Sequence, residues 1–146
     1  MATDRTATVT WTGTLLEGAG TIDAVGSGAF GPLDVTWASR AEEPSGRTSP
    51  EELIAAAWAS CFSMALSHAL SGAGHPPESL STSVNVTFQP GEGIIRGHIV
   101  VSGVVPGLDE AGFREHAEGA KAGCPVSMAL AGIPKVTLVA VLAHGD

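Results

Sequence analysis

Tyrosine is missing from this chain altogether, and aromatic residues make up only 5% of it. The rings on which unpaired nucleic-acid bases usually stack are therefore scarce. Cations are scarce too. Arg5, Arg40, Arg47, Arg96, Arg114, Lys121 and Lys135 stand against fifteen acidic residues, for a formal charge of -8. They are scattered along the sequence and offer no basic run to a phosphate backbone or an anionic bilayer, so neither nucleic acid nor membrane is an expected partner. Two cysteines, Cys61 and Cys124, are too few for a disulfide scaffold. The N-terminal M-A-T-D-R-T-A-T has no apolar core of the signal-peptide kind, and the expectation is a cytoplasmic protein whose thiols start reduced.

A further absence points to the organising element. Between Glu52 and Glu78 there is no Asp, Glu, Lys or Arg. The stretch Ser49–Gly72 opens with Ser49 as N-cap, Pro50 at the first helical position and Glu52 completing a capping box. Gly72 and Gly74, with Pro76 and Pro77 behind them, supply the stop. A helix of roughly 33 Å, at 1.5 Å per residue, is predicted, apolar or small on every face. Its Ala and Ser content, His68, and the absence of flanking Lys/Arg clusters or aromatic belts favour a core helix over a membrane span.

The 146 residues suit one domain, 1–146, with a core of its own. Alternating, β-branched segments predict strands at 7–16, 21–25 and 33–39, the last ending at Arg40. After the central helix, strands at 80–89 and 94–105 flank Pro90-Gly91 as a hairpin. Asp109 caps a second helix that ends at Gly123, residues 126–131 suit one more helical turn, and 135–142 form a last strand. The fold class is α+β, with mainly antiparallel sheet packed around the long central helix.

The chemistry has to be sought at the cysteines. Free cysteine is commonly just a small buried hydrophobe, which suffices for Cys61 taken alone. Cys124 fits that less well. Gly123 closes one helix and Pro125 can open the next, which puts Cys124 at an N-cap, where backbone N–H groups favour a thiolate. Five histidines, His68, His75, His98, His116 and His144, offer no compact zinc spacing with the cysteines, and no phosphate loop or dinucleotide fingerprint is present, so no metal or bound cofactor is expected.

Two segments, T-S-P-E-E-L-I-A-A-A-W-A-S-C-F-S-M-A-L-S (48–67) and K-A-G-C-P-V-S (121–127), resemble the signature segments of the OsmC/Ohr family of organic hydroperoxide reductases. The 63 positions between Cys61 and Cys124 suit that family, as does the order of elements along nearly the whole chain. The resemblance implies an intertwined homodimer with sites at its interface. It implies that Cys61 is the peroxidatic cysteine and Cys124 the resolving cysteine, joined in an intramolecular disulfide during turnover. Glu51 matches the family's catalytic glutamate. Arg40, in S-R-A-E, resembles the arginine segment of the OsmC branch, and the lack of Arg in residues 6–39 disfavours the Ohr arrangement. Arg47 is the rival if the loop folds back. A dihydrolipoamide-type dithiol or lipoyl-bearing protein is the implied reductant. Trp58 departs from the pattern, since many relatives carry His there.

Two points of physics accompany the resemblance. Cys61 lies too deep in its helix for the terminal dipole to stabilise a thiolate, so a nearby cation is needed, and the resemblance makes Arg40, oriented by Glu51, the leading candidate. Ten helical residues span about 15 Å, so Glu51 cannot touch Cys61 of its own straight helix. Either Arg40 bridges, or the first turn is unwound, or Glu51 arrives from a second subunit. Trp58, Phe62, Met64 and Ala65 surround Cys61 at neighbouring and helical positions and form an expected apolar substrate pocket, favouring organic hydroperoxides over hydrogen peroxide. The same residues also suit simple core packing. Two other functions stay open at this level: an OsmC-fold protein that binds a small apolar ligand without catalysis, and a thiol redox sensor.

Overall fold

The computed structural model describes residues 1–144. The chain falls into two compact units, one from Met1 to Leu53 and one from Ile54 onward.

The first unit holds a three-stranded antiparallel sheet, β1 (Ala7–Thr12), β2 (Ala19–Val25) and β3 (Leu33–Val35), in that order. The strand expected over 33–39 stops at Val35. Thr36 caps a short helix instead, α1 (Trp37–Ala41). Its hydroxyl accepts from Ser39 N–H at 3.0 Å while Ser39 Oγ accepts from Thr36 N–H at 2.9 Å, a reciprocal capping box that β propensity alone does not reveal. Ser39 Oγ lies 2.9 Å from the Thr48 carbonyl, and Thr48 N–H donates to Asp34 O, so α1 and the segment before the central helix are tied to β3.

The central helix, α2 (Pro50–Gly72), is uninterrupted, which removes the option of an unwound first turn. Its capping box is only half formed. Ser49 Oγ accepts from Glu52 N–H, but the Glu52 carboxylate takes the Thr48 hydroxyl at 2.9 Å.

In the second unit, Trp58, Phe62, Leu66 and Leu70, spaced four apart along α2, are all fully buried or nearly so. Each contributes about 1.5–3 kcal/mol relative to an exposed position. The opposite stripe, with Ala56, Ala57, Ser60, Met64 and His68, is exposed in the single chain, although it carries no charge to suit it to water. The buried stripe packs with Ile99 and Val101 of a second sheet and with Phe113, Ala117 and Ala120. That sheet has the order β4 (Ser79–Gln89), β5 (Gly93–Val104), β6 (Lys135–Leu142). β4 and β5 are the expected antiparallel hairpin, but β5 and β6 run parallel. The reason is the connection: α3 (Glu110–Gly123) and α4 (Pro125–Ala129) cross over between them, and a crossover returns the chain in the same direction.

Gly97 on β5 lets the Trp58 ring lie against the strand. A Cβ there would meet ring carbons at 2.5 and 2.6 Å. Because the indole is wedged in the core, Gly97→Ala is expected to cost about 1–3 kcal/mol by overpacking. Thermal unfolding followed by circular dichroism should show a Tm several degrees lower, and an unchanged Tm would refute this packing.

Candidate active site

Two clusters carry the predicted residues. In the first unit, α1 presents Arg40 and the first turn of α2 presents Glu51. Arg40 Nε donates to Glu51 Oε1 at 3.0 Å and Oε2 at 3.2 Å, and Arg40 Nη2 donates to Oε2 at 2.9 Å. Glu51 is 6% exposed. A guanidinium fork on a buried carboxylate is rigid in direction as well as charge-assisted. Sequence reasoning named this pair but placed Arg40 at a strand end; it stands in the last turn of α1.

In the second unit lie the cysteines. Cys61 is partly buried on α2 against the core, and Cys124 is fully buried. Cys124 serves two helices at once. Its backbone N–H donates to Ala120 O at 2.9 Å, closing α3. In extended conformation, with Pro125 next, it is also the N-cap of α4, its sulfur accepting from Ser127 N–H at 3.3 Å. The N-cap expected from G-C-P is therefore present.

The two thiols are neighbours. Burial pushes the Cys61 thiol above its ordinary value; a hydrogen bond from the Val126 backbone opposes the rise, and the adjacent Cys124 thiol adds to it. Burial and the second thiol both disfavour the Cys61 thiolate, the form that a nearby cation would favour.

The four residues expected to line one pocket are dispersed. Phe62 is core. Trp58 lines a cavity of about 430 Å³ with Ser127, Lys121, Met128 and Val136. Ala65 borders a second depression beside His116 and Gly123, and Met64, 73% exposed, borders a third beside Ser67 and Pro77. Ser127 and the Val126 backbone were not singled out from the sequence. The signal for Ser127 was its place three residues after an N-cap cysteine, where an N–H meets the capping atom. Among the described residues, no three of His, Cys, Asp and Glu gather to hold a metal ion.

A family profile described as OsmC-like protein matches residues 43–139. Peroxiredoxin OsmC of Escherichia coli (strain K12) is 40% identical over 123 residues, spanning 82% of this chain and 85% of that protein. The organic hydroperoxide resistance protein OhrB of Bacillus subtilis superposes with a TM-score of 0.63 at 26% identity, over 94% of this chain and 98% of that one. An OsmC like protein from Mycoplasma pneumoniae superposes with a TM-score of 0.72 at 15% identity, over 99% and 100% of the two chains, a likeness of fold. The Escherichia coli and Bacillus subtilis relatives support a peroxide-reducing redox role.

The neighbouring thiol predicts a pH effect. Replacing Cys124 by Ala removes the second thiol's contributions to the raised Cys61 pKa and leaves burial, the largest cause, in place. The midpoint of the pH–rate profile for bimane labelling of Cys61 should move to lower pH than in wild type. A midpoint that stays or rises would contradict the coupling.

Proposed function

The chain belongs to the OsmC-like protein family, and from that premise we propose that it is a thiol-dependent peroxidase that reduces organic hydroperoxides to alcohols. The observation that carries this reading is the adjacency of Cys61 and Cys124 in the fold. The Cys61 thiolate attacks the terminal oxygen of R–O–O–H. The O–O bond breaks, the alkoxide takes a proton and leaves as alcohol, and Cys61 becomes a sulfenic acid. Cys124 condenses with it, water leaves, and the disulfide is reset by thiol exchange with an external dithiol of the dihydrolipoamide type.

Activation of Cys61 is assigned to Arg40, aimed by Glu51. In this reading the pair is delivered by a second copy of the chain. Support comes from the unbroken α2, from the bidentate Arg40–Glu51 pairing and from the uncharged, exposed stripe that Ala56, Ala57 and Ser60 leave on α2. Small side chains allow two such helices to approach closely. The organic preference rests on the apolar surroundings of Cys61 and on the name of the Bacillus subtilis relative. A cytoplasmic setting, where thiols are held reduced, suits such a cycle.

Dithiol-dependent consumption of cumene or tert-butyl hydroperoxide is expected to exceed that of hydrogen peroxide and to vanish in Cys61→Ser. Wild-type thiols that stay free after peroxide exposure would refute the assignment. Mixing Glu51→Ala with Cys61→Ser chains should restore part of the activity, because one site of each heterodimer then has both groups intact. Mixtures as inactive as either parent would place Glu51 and Cys61 of one site in the same chain.

A further inference from the structure

Trp58, Ser127 and Cys124 form a run of hydrogen bonds to which the peroxide chemistry above gives no task. Trp58, 1% exposed, donates its Nε1–H to Ser127 Oγ at 2.7 Å. Ser127 Oγ lies 3.1 Å from Cys124 Sγ, and the Ser127 backbone N–H donates to the same sulfur. An indole N–H can only donate, whereas a hydroxyl has one hydrogen and two lone pairs. With Trp58 on one lone pair, Ser127 keeps one lone pair and its hydrogen for the sulfur. It can accept from the Cys124 thiol and, once that proton has gone, turn its own hydrogen to the thiolate. A side chain with an acceptor atom at position 58 would compete for that hydrogen; Trp cannot. The ring is enclosed in the core, with its edge against Gly97 of β5.

We propose that Ser127, oriented by Trp58, is a positioning residue for the resolving step, seating the Cys124 sulfur and hydrogen-bonding its thiolate during attack on Cys61. This rests on the peroxidase reading. In the step, an electron pair of Cys124 sulfur forms the S–S bond while the S–O bond of the Cys61 sulfenic acid breaks. Cys124 sulfur is oxidised and Cys61 sulfur reduced. The departing hydroxide combines with the proton that Cys124 released and leaves as water.

The test uses the full chain as wild type, Ser127→Ala, Ser127→Thr and Trp58→Phe. The cavity of about 430 Å³ beside Ser127 has room for the threonine methyl. Single-turnover oxidation of Cys61 by tert-butyl hydroperoxide should stay within about twofold of wild type in Ser127→Ala and Ser127→Thr. Disulfide closure should slow by about tenfold or more in Ser127→Ala, as loss of one hydrogen bond to a charged group implies. Sulfenic acid trapped by dimedone should rise accordingly, Ser127→Thr should recover wild-type closure, and Trp58→Phe should fall between. Closure at the wild-type rate in Ser127→Ala overturns the proposal. So does slow closure that threonine fails to rescue, because packing alone would then be at stake. Should hydroperoxides oxidise no variant, closure is driven with diamide. Slower closure in Ser127→Ala than in Ser127→Thr then upholds the positioning role while the peroxidase reading falls, and equal closure overturns the role as well.

Discussion

One residue ends α3, begins α4 and carries a thiol. The backbone N–H of Cys124 is consumed by Ala120, its sulfur by Ser127, and its carbonyl takes the first helical bond of α4 from Met128. Such a residue has little freedom left in its backbone. Its sulfur is fixed by the same hydrogen bonds that join two helices, and the stripe of Trp58, Phe62, Leu66 and Leu70 fixes α2, which carries the other sulfur, in the same core. Nothing in this depends on long-range electrostatics. It is capping and packing that hold the two thiols together.

Reactivity is a separate matter, and the packing works against it. A thiol held beside apolar side chains and a second thiol is harder to ionise than one in water, and burial is the larger of the causes for Cys61. Under the proposed function, Cys61 therefore needs a nearby cation before it reacts. In the proposed reading Arg40 is suited to that task because Glu51 holds one edge of its guanidinium, through Nε and Nη2, and so fixes its direction. In the proposed dimer the uncharged exposed stripe of α2 is the face that a second chain covers, bringing its own Arg40–Glu51 pair.

Much of this was readable from residue order, for identifiable reasons. The charge-free run after Glu52 fixed the long helix, and G-C-P located a cysteine between two helices, because both signals are local. The β3–α1 region was misread because T-W-A-S-R alternates like a strand, while the Thr36–Ser39 capping box that starts α1 competes through two side-chain hydrogen bonds. The parallel pairing of β5 and β6 was missed because direction is set by where a crossover lands, which no single segment encodes. The pocket residues were chosen by helical proximity to Cys61, yet Phe62 points to the core and Met64 to solvent. Helical spacing places side chains around a cylinder; what surrounds the cylinder is tertiary. Ser127 was invisible as a partner of Trp58, 69 positions away in the chain.

The central claim is that these two sulfurs are built to join. The direct measurement is a non-reducing peptide map of the wild-type chain after a single equivalent of tert-butyl hydroperoxide. The account predicts that the peptide holding Cys61 is recovered cross-linked to the peptide holding Cys124, within one chain and reversibly by dithiol. Recovery of Cys61 as sulfinic acid with Cys124 still free, or of disulfides only between chains, would contradict it.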